Sequence, residues 1–382
     1  MQPPVAVPRF RLGLFYFLFF AAVGALLPYW PLYLESLKFS ASEIGLTLGL
    51  MMATRIVTPN LWAWLGDRGV SRILLIRAGS IGALLVFSVI PGLESFRAVA
   101  LAGVLYSLFW SAVLPQFEVI TLNHLRAGSG GYSRIRLWGS VGFVLASALI
   151  GAILEHQGAA SLPWLMMGLI GLLIAAAGFI HEAPAAVATS GTGGLLVVLR
   201  DPRVQALLLA CFLMQVSHGP YYVFFSIQLQ SLGYGSASIG ALWALAVIAE
   251  VLLFAAMPGI LRRYPARDLF VGCFLLTALR WVLMAVDAAN PAVLIVAQCL
   301  HAVSFGAYHA IAIQLIHRQF TGPRQGRGQA LYASLSFGAG GAVGSIASGW
   351  IWDPGNAWLS WSLAAVTATV GALVAWRGLE RD

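Results

Sequence analysis

Residues 9–34, RFRLGLFYFLFFAAVGALLPYWPLYL, open with Arg9 and Arg11 and then carry no charged side chain. A membrane-crossing helix needs roughly 20 predominantly apolar residues, and this run supplies them. Two basic residues ahead of an apolar core also describe a secretory signal, but a cleaved core is shorter than a run reaching Leu34. The segment therefore reads as an uncleaved first crossing.

The remaining chain repeats the pattern. Of 382 residues, 60% are apolar and 9% charged, and the mean hydropathy is +0.85. So few ionisable groups cannot cover the surface of water-soluble domains of this length. Apolar runs bounded by charge or by Gly and Pro predict further crossings at 43–65, 73–92, 98–122, 136–154, 161–180, 204–229, 238–260, 268–287, 291–316, 328–351 and 357–376. The expected fold is an all-α polytopic membrane protein with twelve transmembrane helices, leaving no room for an appended catalytic module. The longest stretch outside the crossings, 182–203, begins with small residues and ends in the basic cluster Arg200 to Arg203. As a cytoplasmic central loop it would divide six crossings over 1–181 from six over 204–382. The loops after the second and eighth crossings are both basic, and such a two-fold repeat suits two bundles rocking about a central site.

A net charge of +8 raises the question of a nucleic-acid partner, and the placement of the charge answers it. With both termini cytoplasmic, eighteen of the 22 basic residues fall on the inner side. Lys38 and Arg97 fall outside, and Arg55 and Arg280 lie within crossings. The excess is the signature of positive-inside topology, so no nucleic acid is expected. Cys211, Cys273 and Cys299 lie inside apolar runs without metal spacing, so neither a disulfide framework nor a metal site is expected.

An ionisable side chain deep in hydrocarbon costs at least a few kcal/mol, which makes each one a functional candidate. Arg55 lies midway between Glu43 and Asp67, too deep to reach either surface as part of one continuous helix. Glu250 and Arg280 sit near the middle of the eighth and ninth crossings, as an ion pair or as a carboxylate that changes protonation during transport. His301 and His309 lie two turns apart in the tenth crossing, about 80° round an α-helix, and histidine titrates near neutrality. His218, Gln215 and Tyr222 share one face of the seventh crossing at α-helical spacing, where Gly219-Pro220 predicts a kink beside a cavity. Glu118 and Arg136 flank the inner loop between the fourth and fifth crossings, and Arg77 is placed to snorkel to the inner headgroups.

WAWLGDRGVSRILLIR (62–77) resembles the loop signature of the major facilitator superfamily, with Asp67, Arg68 and Arg72 at its spacing and Val70 where the signature has glycine. GYSRIRLWGSVGF (131–143), SHGPYYVFFSIQLQSLGYG (217–235), LWALAVIAEVLLF (242–254) and LHAVSFGAYH (300–309) resemble the phenylpropionate permease family, which is similar to lactose permease. The resemblance spans essentially the whole chain. It implies that Glu118 and Arg136 bind substrate and that Glu250, Arg280 and His301 couple a proton. The permease's proton-releasing glutamate is Ser304 here, so the resemblance does not say which residue carries the proton.

The expected function is a secondary transporter that imports a small aromatic acid of the 3-phenylpropionate type with a proton, by alternating access. The expected substrate-binding residues are Arg55, Glu118, Arg136, His218 and Tyr222, with Arg136 or Arg55 holding the carboxylate. Glu250, Arg280, His301 and His309 form the expected proton-coupling set, and Asp67, Arg68 and Arg72 the gating loop. A proton-coupled sugar or nucleoside symporter is the alternative, because the Glu118 carboxylate accepts hydroxyl hydrogen bonds but repels an anion. A non-transporting receptor or a membrane enzyme is more remote. The absence of a P-loop string leaves a proton gradient as energy source, with no cofactor. The expected setting is the bacterial inner membrane, multi-pass, as a monomer with substrate, protons and lipid as its partners.

Overall fold

Long apolar runs with punctuated ends fold into long helices, since only intrasegment hydrogen bonding satisfies the backbone in hydrocarbon. A computed structural model describes residues 7–125, 131–182 and 198–380. Most of the expected central loop, with Arg126 and Arg381 of the inner charge set, lies outside the described residues.

The helices are α1 (Arg9–Ser36), α2 (Ala41–Ala53), α3 (Thr58–Asp67), α4 (Arg72–Val89), α5 (Phe96–Leu125), α6 (Tyr132–Gln157), α7 (Leu162–Gly178), α8 (Pro202–Ser217), α9 (Gly219–Ser231), α10 (Ser236–Arg263), α11 (Ala266–Asp287), α12 (Pro291–His301), α13 (Tyr308–Gln319), α14 (Gln325–Ala333), α15 (Gly341–Ile351) and α16 (Ala357–Gly378). No strand occurs among the described residues. Eleven of the helical segments among them are long and apolar enough to cross a membrane.

The expected crossing at 43–65 is not one helix. It is α2 and α3 joined by a 3₁₀ turn, Thr54–Ile56. Pro59 lacks an N–H and its ring clashes with the carbonyl four residues back, that of Arg55, so the helix gives way there and restarts with the proline in the first turn of α3. Arg55, expected in mid-helix, sits in that turn and is exposed.

The seventh crossing also breaks where its sequence said it would. α8 ends at Ser217, α9 begins at Gly219, and His218 caps both. Gly219 is required for a close approach: a methyl group there would lie 2.2 Å from the Gly344 carbonyl oxygen. The helical segments Pro291–Gln319 and Gln325–Ile351 each contain a π-helical stretch, Ala302–Ala307 and Ser334–Gly340, a winding that often marks functional sites.

The chain divides into two compact units. One comprises Met1–Lys38, Val57–Ala188 and Ser236–Ala241, the other Phe39–Ile56, Thr189–Gly235 and Leu242–Asp382. In the first, α1 lies along α6 so closely that a methyl group on Gly142 would meet the Phe17 carbonyl oxygen at 2.1 Å. In the second, Phe270, Phe274, Tyr308 and Phe320 are buried in one apolar cluster between α8, α11, α13 and α16.

Candidate substrate and proton sites

In the first unit, α5 and α6 present Glu118 and Arg136, both half-buried. They form no ion pair with each other. The Tyr132 hydroxyl donates to Glu118 Oε1 at 3.3 Å, while the Arg136 guanidinium lies 4.0 Å over the Phe20 ring and 5.5 Å from the Tyr16 ring. A flat, weakly hydrated cation over an aromatic face is a favourable arrangement without a carboxylate.

The loop residues come together at the end of α3. Arg72 Nη2 binds Asp67 Oδ1 at 3.2 Å, and its Nη1 donates to Gln116 Oε1 at 2.6 Å. Arg68 instead packs over Trp64, 4.0 Å from the ring centroid. Gln116 is buried on α5 and was missed in the sequence, although a lone glutamine two residues before Glu118 in an apolar run was a visible signal. Arg77, expected to snorkel, donates to the Ala177 carbonyl at 3.1 Å and binds Gly178 as well. It thereby satisfies carbonyls at the end of α7 that the helix leaves open.

The second unit holds the deeper cluster. Arg280 on α11 is 1% exposed. Its Nη1 donates to Ser304 Oγ at 2.9 Å and to His301 Nδ1 at 3.1 Å, and its Nη2 to Gln298 Oε1 at 3.3 Å. The Tyr221 and Trp281 rings lie 4.2 and 4.4 Å from its Cζ, and the Tyr221 hydroxyl donates to the same Gln298 oxygen at 3.1 Å. The ion pair with Glu250 offered by the sequence is not formed. Glu250 on α10 is half-buried and lies against the π-helical stretch of the tenth crossing, its Cγ 2.7 Å from where a methyl group on Gly306 would stand.

Arginine has only donors, so the bond from Arg280 makes His301 Nδ1 an acceptor and leaves the ring proton on Nε2. His218 has the opposite arrangement: its Nδ1 lies 2.8 Å from the Met214 carbonyl and must donate. His218 stacks on Tyr222, as its spacing suggested, with ring centroids 5.9 Å apart. Gln215 belongs to α8, on the other side of the break, and offers His218 only its backbone carbonyl. His309 Nδ1 lies 2.9 Å from the Tyr332 hydroxyl.

The π-helical winding corrects the expected offset of His301 and His309. Phe305 stacks on His301 at 5.4 Å and 6°, and on His309 at 6.3 Å and 11°, so the three rings form one column. Gln298, one turn before His301, is the other residue sequence reasoning missed; its position three before the histidine on one helical face was the available signal. No group of three or more His, Cys, Asp or Glu side chains placed to hold a metal occurs among the described residues.

Long apolar helices carrying buried polar clusters, and a basic loop with a formed Asp–Arg pair, make this a polytopic membrane protein, and the proteins it is similar to are transporters rather than enzymes. The sequence matches the MFS_1 like family over residues 9–363, and the chain belongs to that family within the major facilitator superfamily. It is 30% identical to "Probable 3-phenylpropionic acid transporter" of Escherichia coli (strain K12), over 93% of this chain and 94% of that one. It is 28% identical to the maltose permease of Geobacillus stearothermophilus, over 94% and 92%. Among solved structures, the nucleoside transporter NupG superposes with a TM-score of 0.86 at 17% identity, covering 97% of this chain and 98% of that one. The D-xylose–proton symporter does so at 0.75 and 11% identity, covering 97% of each.

Proposed function

We propose that the protein imports a small aromatic monocarboxylic acid of the 3-phenylpropionate type together with a proton, by alternating access across the bacterial inner membrane. Twelve crossings in two bundles, 1–181 and 204–382, with α2 and α3 sharing one crossing, would place both termini in the cytoplasm. The observation that carries the reading is the buried cluster of the second unit, where a guanidinium and a histidine are enclosed by Tyr221, Trp281 and Phe305. It offers a cation for an acid and ring faces for an aromatic group. Whole-length similarity to a 3-phenylpropionic acid transporter supports it.

Arg55, Glu118, Arg136, His218 and Tyr222 are the substrate candidates in this reading. Glu250, Arg280, His301 and His309 are the proton-coupling candidates, and Asp67, Arg68 and Arg72 form the gating loop. One proton moving with one monoanion carries no net charge, so a pH difference alone drives uptake.

A second reading, a sugar or nucleoside symporter, is favoured by one contact. Glu118 already accepts a hydroxyl hydrogen bond, from Tyr132, as it would from a polyhydroxyl substrate. Counterflow exchange in proteoliposomes without any gradient separates the two: preloaded 3-phenylpropionate should drive entry of its labelled form, whereas exchange of labelled uridine or maltose alone would establish the second reading.

A further inference from the structure

The cluster around Arg280 has a surplus of donors. Every acceptor that its guanidinium reaches is neutral: a histidine nitrogen, a serine hydroxyl and a glutamine carbonyl. No ion pair formed by the described residues includes it. Its Nε–H has no partner among the described residues, and neither has the Nε2 of Gln298, which is 0% exposed. The orientation of that amide is fixed by Arg280 Nη2, which can only donate and so requires the oxygen on its side; the Tyr221 hydroxyl then donates to the same oxygen. Its NH₂ group must then point elsewhere, and there it is unmet.

A buried cation facing only neutral groups is costly, and each buried donor left unmet adds to that cost. An anion brings the acceptor oxygens such donors lack, and a guanidinium edge is shaped to take a carboxylate through paired hydrogen bonds. We propose that Arg280, aided by the Gln298 amide, is the anion-binding element and receives the carboxylate of the transported aromatic acid. The proposal rests on the aromatic-acid reading above. It moves carboxylate recognition away from Arg136, whose guanidinium is spread over Phe20, and away from Arg55 in the 3₁₀ turn. His301 then acts as a positioning residue: its Nδ1 holds one edge of the guanidinium and leaves the Nε edge to the ligand.

Trp281 lies close enough to report on occupancy. Its fluorescence is titrated in purified full-length protein with 3-phenylpropionate, with the neutral 3-phenylpropionamide and with chloride. Wild-type protein should prefer the acid to the amide by at least about tenfold, the worth of one hydrogen bond to a charged group. Arg280→Lys keeps a cation but lacks the planar fork and should lose that preference, as should Arg280→Gln. Gln298→Leu should weaken the acid without weakening the amide. The exposed variant Arg97→Gln, in the first turn of α5, should behave as wild type. Thermal unfolding identifies which variants are folded, and Arg280→Lys and Gln298→Leu keep the test decisive if Arg280→Gln is not.

A folded Arg280→Lys protein that retains the full preference overturns the proposal and leaves the aromatic-acid reading standing. So does a preference that disappears with Arg136→Lys instead. Chloride that changes the fluorescence as strongly as the acid overturns the carboxylate as the ligand. Wild-type protein that binds uridine or maltose but no aromatic acid removes the reading and the proposal together.

Discussion

The two units solve the problem of a membrane-embedded arginine in opposite ways. Arg136 in the first unit is half-buried, rests its flat face on Phe20 and has Glu118 in its neighbourhood without pairing to it. Arg280 in the second unit is fully buried, spends both terminal nitrogens on neutral side chains and keeps its Nε–H unmatched. A half-buried cation keeps much of its hydration and tolerates substitution. A cation sealed in the interior depends on each of its partners, which is why the deeper cluster is the better candidate for chemistry.

The sharpest way to break the comparison is the carboxylate that lies near the deeper cluster without pairing to Arg280. If Glu250 carries the proton, Glu250→Gln should abolish gradient-driven accumulation, leaving the same inside-to-outside distribution with and without the pH difference. Gradient-free counterflow should persist, and comparing the two assays on one preparation checks it. Equal loss in both assays would return Glu250 to a structural role.

His301→Ala removes one of the acceptors that hold Arg280 in place. A stability loss of about 1–3 kcal/mol is expected, measured by chemical denaturation in detergent, together with a weaker preference for acid over amide. A loss of stability with an unchanged preference would make His301 structural only.

A packing contrast is of similar size. Gly219→Ala puts a methyl group against the Gly344 carbonyl and should cost about 1–3 kcal/mol. Gly168→Ala, with nothing within 4 Å of the new methyl group, should be close to neutral. Thermal unfolding of the pair tests whether α9 and α15 meet as tightly as described. The smallest effect is expected in the first unit: Arg136→Lys loses the stacked fork for about 0.5–1 kcal/mol, so substrate affinity should fall only a few-fold in binding titrations. A larger loss there than at Arg280 would invert the ranking of the two clusters.

Most of the fold was legible because crossing the bilayer demands long apolar runs, and those runs coincide with the helices to within a few residues. Two features were written less plainly. Hydropathy makes the second crossing unbroken although Thr58-Pro59 stands within it, because it registers apolarity and not a missing N–H. The π-helical stretches carry no compositional mark at all, since Ala302–Ala307 and Ser334–Gly340 are as small and apolar as an ordinary crossing.

At the candidate site, sequence gave depth but not direction. Glu250 and Arg280 are at similar heights in adjacent crossings, which suggested a pair; rotation about the helix axes puts Glu250 against Gly306 and Arg280 against His301 and Ser304. Ser304 was noticed only as the place of a missing glutamate, yet its hydroxyl accepts the shortest of the Arg280 hydrogen bonds. Neutral partners such as Gln116 and Gln298 carry no charge to mark them in the sequence, although they hold Arg72 and Arg280 in position.

The most direct test is uptake of labelled 3-phenylpropionate into proteoliposomes at external pH near 7, with and without an inward proton gradient, after subtracting entry into protein-free liposomes. Proton-coupled aromatic-acid import predicts accumulation above equilibrium only when the gradient is present, abolished by a protonophore. Protein-dependent uptake that ignores the gradient would contradict proton coupling, and no protein-dependent uptake by folded protein would contradict the substrate class.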